Sequence, residues 1–592
     1  MFHFLKIYNI KIQFTSLFIF LIILQSNAQQ FHWGMAIDHQ GFGASPSHTL
    51  VDYDNNLLTF GSFAVLGPQI DLDPDPIDSF VVSSFLFDSY IAKYSQTDGS
   101  LLWASGVGGD VNGSFSPRSI VIDKSNNHLF VGQLSGTVDI DFGPNINNVT
   151  SSLNYGHELI IKYDSSFEYV QHIMIGGINN FGGLAIRSIE CDLQNNYYFL
   201  GNYFDSVDFD PGINQYLLVG DSGRIELFLA KYDQNFNLLW VDTFTTKAQM
   251  GPNFGIEFLK FDPVSGNLIL TGNYNGTDTI DLDPGAGQSL FYNEFDESSF
   301  TAIYDTAGNF IRMWKTFSDF ANDIDGMTTD DNGYIYTMVE FEDTLYLHNF
   351  FSPPYLVSTF PDVGYGIVKY DISGNYISSS IIYSQIEPDF DLMLEKDGYI
   401  YLSGDLSNGN LDVDPSSGVY MISANDESYF LLCYSSLLGN NSFHWGFSDP
   451  NSNSSNQQFC ISEDHTLFVS GAFQDSLDCD PSSSTYYLHA PAMGYMFHIA
   501  YDSTTITSIV DRIDVLNDFI YPNPAKDYLK ISVPIQKDMQ ATILSMQGEV
   551  ILTIQNLQNE EEIHIEKLSA GMYLLNLKSS SGSHIFKFIK TE

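Results

Sequence analysis

Short runs in which apolar and polar residues alternate fill most of the chain between residues 30 and 502. Examples are LLTFGSF at 57–63, YYFLGNY at 197–203 and LFVSGAF at 467–473. Alternation with a period of two, bounded by Gly, Asn and Asp, is typical of β-strands. The pattern therefore predicts an all-β fold.

Four strand patterns recur in a fixed order, and the set occurs seven times. We call them the inner strand, which ends at an acidic turn; the second strand, which ends near Gly-x-aromatic; the third strand, which reads aliphatic-Lys-Tyr-Asp; and the outer strand, which resembles Leu-Leu-Trp. The third-strand tyrosines recur every 64 to 72 residues, at Tyr94, Tyr163, Tyr232, Tyr304, Tyr370, Tyr434 and Tyr501. Four strands per repeat are typical of a β-propeller blade. The repeats predict a seven-bladed β-propeller over residues 29–502.

The two ends of the repeat region are complementary. The sequence FHWG at 31–34 has the outer-strand pattern but follows no third strand, and MFHIAYD at 496–502 is a third strand with no outer strand after it. We therefore predict that the N-terminal strand completes the last blade and closes a ring, which removes exposed sheet edges. A linear β-solenoid is the alternative.

The repeats resemble a bacterial β-propeller repeat family. The residues that match are Phe130 to Gly132 in a second strand, Ile91 to Tyr94 in a third strand, Leu101 to Trp103 in an outer strand, and the pair Gly108 and Gly109. The resemblance covers about residues 30–502. It implies the fold and leaves the activity open.

Six of the seven connections between the second and third strands carry the motif Asp-x-Asp. These are long connections that we expect on one face of the propeller, and long loops on a rigid scaffold often carry function. The fifth repeat has LYLH at 345–348 in this place. The paired aspartates are Asp71 and Asp73, Asp139 and Asp141, Asp208 and Asp210, Asp281 and Asp283, Asp412 and Asp414, and Asp478 and Asp480.

Two interpretations of the motif stay open. In the first, the aspartates cap a turn through hydrogen bonds to the backbone, as Asp before Pro does well. In the second, the paired carboxylates bind Ca²⁺, a hard cation that prefers six to eight oxygen ligands. The aspartates named above are therefore candidate metal ligands, and Ca²⁺ is the candidate cofactor.

Composition narrows the choice of function. The 592 residues include 72 Asp plus Glu against 23 Lys plus Arg, a formal net charge of −49. Such a negative field repels phosphates, so the sequence predicts no binding to nucleic acid or to an anionic membrane. No GxSxG, HExxH, P-loop or CxxC motif is present. We predict a protein without enzymatic activity, with four free or buried cysteines.

Residues 1–28 have the pattern of a secretory signal peptide. Lys6 and Lys11 precede the apolar run Leu17 to Leu24, and Ser26 to Ala28 supplies a cleavage site before Gln29. A retained anchor helix is the alternative. No later segment is apolar for the roughly 20 residues that span a membrane, so we expect a soluble, exported protein.

The pattern changes after Tyr501. Residues 503–519 form a predicted linker, and six or seven short alternating runs in residues 520–592 predict a small β-sandwich. This segment resembles the C-terminal (type A) sorting domain of the type IX secretion system through Tyr521 to Ala525, Gly548, Leu568 to Tyr573 and Lys587 to Lys590. The candidate sorting residues are Pro522, Asn523, Pro524, Gly571, Tyr573, Lys587 and Lys590. The resemblance implies a Gram-negative cell, the secretion machinery as partner, and a secreted or surface location; an accessory sandwich is the alternative.

We therefore predict a monomeric binding or adhesion protein whose ligand is an unidentified protein or glycan. A glycan-active hydrolase using carboxylates on the long-loop face is the second hypothesis. A structural surface-layer component is the third.

Overall fold

A computed structural model of the chain describes most of residues 30–502 and 520–590. The predicted signal peptide, the predicted linker and residues 522–524 lie outside the described residues. The other gaps are 39–43, 65–68, 76, 84–86, 109–112, 144, 152–156, 180–181, 211, 213–214, 221–224, 245–254, 276–278, 293–296, 319–321, 348–354, 359–362, 417–418, 440–441, 451, 482–484, 491–494, 532–539, 546–549, 555–562, 570 and 580–581.

Antiparallel meanders of four strands, in the order inner, second, third and outer, make up residues 30–502. Among the described residues, five sheets of this region are such meanders alone, and two longer sheets, of seven and six strands, each contain one. We number the meanders as units 1 to 6 and a closing unit. The first strands are β1 (Gln30–Asp38); β2 (Ala44–Val51), β3 (Leu57–Ala64), β4 (Gln69–Asp71), β5 (Val81–Ser83), β6 (Phe87–Tyr94) and β7 (Leu101–Val107) in unit 1; β8 (Ser114–Ile122), β9 (His128–Asp139), β10 (Asn148–Ser151), β11 (His157–Tyr163) and β12 (Tyr169–Gly177) in unit 2; and β13 (Gly183–Cys191), β14 (Tyr197–Phe204), β15 (Ser206–Asp208), β16 (Leu217–Val219), β17 (Ile225–Tyr232) and β18 (Leu238–Phe244) in unit 3.

The later units repeat the same plan, with a short hairpin between the second and third strands of most units. Their strands are β19 (Gly255–Asp262), β20 (Asn267–Asn275), β21 (Thr279–Asp281), β22 (Leu290–Tyr292), β23 (Glu297–Asp305) and β24 (Phe310–Ser318) in unit 4; β25 (Asn322–Thr329), β26 (Ile335–Phe341), β27 (Thr344–Tyr346), β28 (Tyr355–Val357), β29 (Val363–Tyr370) and β30 (Tyr376–Ser384) in unit 5; β31 (Asp389–Lys396), β32 (Tyr399–Asp412), β33 (Met421–Ser435) and β34 (Phe443–Ser448) in unit 6; and β35 (Asn453–Ile461), β36 (Thr466–Gln474), β37 (Ser476–Asp478), β38 (Tyr487–His489) and β39 (Tyr495–Asp502) in the closing unit.

The outer strand of the closing unit is β1, from the other end of the region. It pairs antiparallel with β39, and its register joins Trp33 to Ala500 and Asp38 to Tyr495. This is the pairing that the sequence predicts. The described strands therefore have an all-β, propeller-like arrangement, and the number of blades in one closed ring stays a prediction.

Neighbouring units bury their faces against each other. One apolar cluster joins Ile160 of unit 2 to Ile186 and Phe228 of unit 3. Neighbouring units cover both faces of such a sheet, so nearly all side chains of its second and third strands are buried. The run from Tyr197 to Leu200 is an example. Hydrophobic burial between sheets is the main stabilising contribution to this arrangement.

The short turns are closed by aspartates. Asp123, at the end of an inner strand, accepts hydrogen bonds from the amides of Ser125 and Asn127 at 2.9 Å each. The turn also places Asn126 in the left-handed region, with a φ of 61°, which Asn tolerates better than most residues. Acidic side chains of the repeats therefore stabilise turns by accepting hydrogen bonds from backbone amides.

A β-bulge in the inner strand places special demands on the second strand. In unit 3, the register of β13 skips one residue between Ile186 and Ser188, and Gly201 lies opposite. A Cβ on Gly201 would lie 2.1 Å from the carbonyl oxygen of Ala185. Unit 5 has Val339 at the corresponding place. Glycine is therefore required at position 201 because of the nearby Ala185 carbonyl, and it is not required at this place in every unit.

Replacing Gly201 by Ala should therefore lower the stability of the protein. We expect a loss of about 1–3 kcal/mol from overpacking against the backbone, measured by urea unfolding. Gly212→Ala is the control, because the one atom within 4 Å of its added Cβ among the described residues is a side-chain oxygen of Asp210, at 3.1 Å. Equal stability of the two variants would contradict the prediction.

The C-terminal segment forms two sheets. β40 (Ile520–Tyr521), β41 (Tyr528–Ile531) and β44 (Ile563–His564) form one, and β42 (Gln540–Ser545), β43 (Val550–Ile554), β45 (Gly571–Ser579) and β46 (Gly582–Lys590) form the other. Leu529 of the first sheet and Ile543 and Leu575 of the second belong to one buried cluster. The predicted β-sandwich goes beyond this observation and stays a prediction.

Candidate functional site

The first aspartate of each Asp-x-Asp motif closes its own loop. In unit 3, Asp208 Oδ1 accepts hydrogen bonds from the amides of Asp210 at 3.1 Å and Tyr216 at 3.0 Å. The first aspartate of each other motif accepts two hydrogen bonds in the same way. One comes from the amide two residues later in the chain, and the other from an amide eight or nine residues later. These aspartates are Asp71, Asp139, Asp281, Asp412 and Asp478. These bonds hold the ends of the loop together.

The second aspartate makes the next turn. Asp141 Oδ1 accepts from the amide of Gly143 at 2.7 Å, and Asp283 Oδ1 from that of Gly285 at 2.9 Å. The corresponding bond is made by Asp73, Asp210 and Asp414. The geometry thus supports the capping interpretation of the motif.

The structure does not bring the predicted metal ligands together across loops. Within the described parts of the chain, no three His, Cys, Asp or Glu side chains are grouped so that they could hold a metal ion. In each of the six loops the Oδ1 atom of the first aspartate already accepts amide hydrogens, which leaves fewer of the oxygens that Ca²⁺ prefers. Calcium binding by these loops stays a prediction, and calorimetry with millimolar CaCl₂ is its test.

The third-strand tyrosine binds the same loop through its hydroxyl group. Tyr163 donates its hydroxyl hydrogen to the carbonyl of Ile140 at 2.7 Å, and Tyr232 donates to that of Phe209 at 2.6 Å. These carbonyls belong to the middle residue of Asp-x-Asp. Equivalent bonds join Tyr94 to Leu72, Tyr304 to Leu282 and Tyr434 to Val413. The third-strand tyrosine and the Asp-x-Asp motif, which are separate in the sequence, are therefore joined by a hydrogen bond in the structure.

The third-strand lysine links neighbouring units. Lys162 Nζ lies 3.5 Å from Asp123 Oδ2 in its own unit and donates to the carbonyl of Gln234, in unit 3, at 3.2 Å. Lys231 makes the same connection to Thr306 of unit 4 at 2.9 Å. Burial lowers the pKa of Lys231, although nearby Asp192 raises it. These motif lysines therefore serve assembly of the units.

The units differ at the residue that the inner-strand bulge leaves out of the register. This place holds Arg118 in unit 2 and Arg187 in unit 3, but Asp325 in unit 5 and Asp391 in unit 6. Inner strands surround the central channel of a propeller. Opposite charges therefore occupy equivalent places in different units.

Unit 2 contains a buried ion pair. Arg118 Nε lies 3.0 Å from Glu158 Oε1, and the Glu158 side chain is fully buried. Burial raises the pKa of Glu158 to about 7, although the charge of Arg118 lowers it. Arg187 remains exposed to solvent.

Units 5 and 6, with the connection between them, hold what we call the acidic cluster. Asp323 pairs directly with Glu340 on the neighbouring strand, and Asp389 pairs with Asp405. Like charges opposite each other destabilise a sheet. The cluster comprises Asp323, Asp325, Glu340, Asp389, Asp391 and Asp405 of units 5 and 6, and Glu387 of the connection between these units.

Two carboxyls of the acidic cluster hold their protons unusually well. Burial, followed by the charges of Asp323 and Glu387, raises the pKa of Glu340 to about 7. Partial desolvation, followed by the charges of Asp405 and Asp389, raises the pKa of Asp391 to about 7. The side chain of Asp391 nevertheless keeps contact with solvent. Such carboxyls are partly protonated at neutral pH.

A pH dependence of stability follows from the raised pKa of Glu340. The folded chain binds this proton more tightly than the unfolded chain, whose carboxyl has a pKa near 4.5, so stability falls as pH rises from about 4.5 to about 7. Glu340→Gln should remove part of this loss of stability with rising pH. The variant's melting temperature minus that of the unaltered protein should therefore be larger at pH 8 than at pH 5. Asp426→Asn, an exposed acid elsewhere in unit 6, is the control for net charge; an equal effect in that variant would contradict the prediction.

Tyr365 lies among these carboxyls. It pairs with Glu340 in the register between β26 and β29, and its ring is 5.2 Å from that of Phe390. Its side chain is fully buried, and its hydroxyl has no hydrogen-bond partner among the described residues. Burial, followed by the charges of Glu340 and Asp325, raises its pKa. An unsatisfied buried hydroxyl costs free energy, and a hydrogen-bonding ligand would offset that cost.

These residues belong to no shared motif of the sequence. The shared motifs lie in loops that are alike, whereas the charged residues lie in inner strands and differ between repeats. A signal was present, since Arg118, Arg187 and Asp325 each stand five residues before the aspartate that begins the turn after the inner strand, and Asp391 stands six residues before Asp397.

The tryptophans and cysteines have structural roles. Trp103 stacks on Phe167 with ring centroids 4.0 Å apart, and Trp314 packs against Tyr370 at 5.5 Å. The four cysteines, all within described residues, form no disulfide. The prediction of free or buried cysteines is confirmed.

The structure brings four of the predicted sorting residues onto two adjacent strands. Gly571 of β45 pairs with Lys590 of β46, and Lys587 pairs with Leu574. The hydroxyl of Tyr573 donates to the carbonyl of Ser569 at 2.8 Å. Pro522, Asn523 and Pro524 lie outside the described residues.

The C-terminal segment has a clear relative among protein families. Residues 519–591 match the model of the secretion system C-terminal sorting domain. The predicted recognition is confirmed: the chain carries a type IX sorting domain behind a propeller-like region, and it is exported to the cell surface or secreted. The tail implies interaction with the secretion machinery.

Other comparisons add little. No curated protein matches the chain. Among solved structures, the extracellular domain of a putative one-component system of B. thetaiotaomicron is 11% identical, covers 94% of this chain and 99% of its own, and has a TM-score of 0.19. PorZ of Porphyromonas gingivalis, described as an essential surface component of the type-IX secretion system, is 9% identical, with coverage of 94% and 100% and a TM-score of 0.16. Such TM-scores establish no shared architecture, and the fold assignment rests on the strand pairing.

In the part of the chain that the structure describes, no helix is long and apolar enough to cross a bilayer.

Proposed function

We propose that this protein is a binding or adhesion module of the cell surface or the surrounding medium, and that its ligand site is the inner-strand region of units 2, 3, 5 and 6. The observation that carries the proposal is the unequal charge at equivalent places, with Arg118 and Arg187 in units 2 and 3 and Asp325 and Asp391 in units 5 and 6. Copies of a repeat keep residues that serve the fold. A place where the copies differ in charge is therefore the best candidate for recognition.

We also propose that units 1 to 6 and the closing unit are seven blades of one ring. The proposal is supported by the inner strands, since β35 of the closing unit packs beside β2 of unit 1, as β13 packs beside β8 and β19. For the tail, the shared cluster of Leu529, Ile543 and Leu575 supports a small β-sandwich.

The binding proposal is tested with a glycan and peptide array probed with the mature full-length chain. We expect a ligand that the unaltered protein and Asp426→Asn bind alike, and that Arg187→Gln or Asp391→Asn bind at least tenfold more weakly. Full binding by both site variants would contradict the proposed site.

A glycan-active hydrolase is the second candidate, and the raised pKa values of Glu340 and Asp391, both about 7, favour it. A carboxylic acid that keeps its proton near neutral pH can serve as general acid in glycoside cleavage. Release of reducing ends from polysaccharides, abolished by Glu340→Gln or Asp391→Asn, would establish it. Absence of turnover by the unaltered protein would leave the binding function.

A further inference from the structure

The acidic cluster has the charge and the unsatisfied groups of a site for a positively charged ligand. The charged groups that act on Glu340 are Asp323, Glu387, Glu342 and Asp389, all carboxylates. Those that act on Asp391 are Asp405 and Asp389. Repulsion of this kind costs stability, and a bound cation would offset that cost.

The buried hydroxyl of Tyr365 is a second, independent observation. It has no hydrogen-bond partner among the described residues and lies close enough to Glu340, Asp325, Glu387 and Asp389 for their charges to raise its pKa, after burial itself. A ligand N–H could donate to its oxygen, while its own hydrogen turns to a carboxylate. The unpaired group therefore points to a ligand with hydrogen-bond donors.

The surroundings suit an organic cation better than a bare metal ion. Among the described residues, no three acidic, His or Cys side chains are grouped for metal coordination, whereas Tyr365, which pairs with Glu340, packs its ring 5.2 Å from that of Phe390. An ammonium or guanidinium group carries several diverging N–H donors on an apolar stem, and it interacts favourably with aromatic rings as well as with carboxylates.

We propose that the acidic cluster of units 5 and 6 binds an organic cation, an ammonium or guanidinium group, through Glu340, Asp389 and Asp391, with the hydroxyl of Tyr365 as a further hydrogen-bond partner. This inference rests on the proposed binding function and names its ligand class. The group can belong to a free amine or to a Lys or Arg side chain of an exposed peptide. Binding is expected to release protons and to weaken below pH 7, because Glu340 and Asp391 must give up protons to pair with the cation.

Calorimetry on the mature full-length chain tests the proposal, with spermidine as the free amine, tetra-lysine and tetra-arginine as peptides, and tetra-glutamine as the uncharged control. We expect saturable binding of one cation per chain at pH 7.5 and at least tenfold weaker binding at pH 5.5. The double variant Glu340→Gln and Asp391→Asn should also bind at least tenfold more weakly. Binding of spermidine and not the peptides, or the reverse, identifies the source of the group.

Two further variants separate a site from general attraction to a negative protein. Asp426→Asn removes one exposed charge elsewhere in unit 6 and should bind as the unaltered chain does. Tyr365→Phe should fold normally and bind about fivefold more weakly, the effect of one lost hydrogen bond. Equal weakening by Asp426→Asn, or binding that never saturates, would overturn the proposal. If array ligands still bind and organic cations do not, this inference alone fails; if Arg187→Gln and Asp391→Asn leave array binding intact, the proposed function fails with it.

Discussion

Removal of residues 520–592 is expected to abolish export to the cell surface and to leave the shortened protein in the periplasm. The reason is that residues 519–591 match the secretion system C-terminal sorting domain, so we expect the signal for outer-membrane passage to lie in the tail. The tail has a buried cluster of its own, including Leu529, Ile543 and Leu575. Its loss should therefore leave the strand pairing of residues 30–502 unchanged.

The measurement is fractionation of the producing cells, with antibody detection of the protein in periplasm, at the surface and in the medium. A matched gain-of-function arm attaches residues 520–592 to a periplasmic reporter, which should then reach the surface. The shortened protein should melt at the same temperature as the mature chain, which separates failed export from failed folding. Unchanged surface export of the shortened protein would refute the sorting role.

The repeats could be predicted from the sequence because each copy must satisfy the same local physics. A third strand needs its Tyr to hold the loop carbonyl, as Tyr232 holds that of Phe209, and a turn needs its Asp, as Asp123 shows. Such demands leave the same residue type at the same spacing in almost every copy. Strand order and the pairing of β1 with the closing unit followed from that spacing.

The candidate site could not be predicted in this way because it consists of departures from the repeat. Arg118 and Asp391 occupy equivalent places with opposite charges, and a search for what the copies share passes over them. The raised pKa of Asp391 depends on Asp405 and Asp389, which lie on different strands, so it requires the register as well as the sequence. The Asp-x-Asp loops were the more conspicuous signal, but their side chains are engaged with their own backbone.

The largest effect on stability is expected from removing β1, residues 30–38. Its side chains Trp33, Met35 and Ile37 are 9%, 8% and 1% exposed, and burial of a large apolar side chain contributes roughly 1.5–3 kcal/mol. Three of them contribute on the order of 5–9 kcal/mol, comparable with the whole stability of a typical domain, about 5–15 kcal/mol. The deletion also uncovers the edge of β39, and an unpaired edge strand promotes aggregation.

Trp33 further ties the closing unit to unit 1, because its Nε1 donates to the carbonyl of Gln96 at 2.7 Å. A chain that begins at residue 39 should therefore be insoluble or melt far below a chain that begins at residue 29, which is the matched control. Solubility after expression and the melting temperature of any soluble fraction are the measurements. Equal solubility and melting of the two chains would mean that β1 does not close the assembly, and the proposed ring would fall with it.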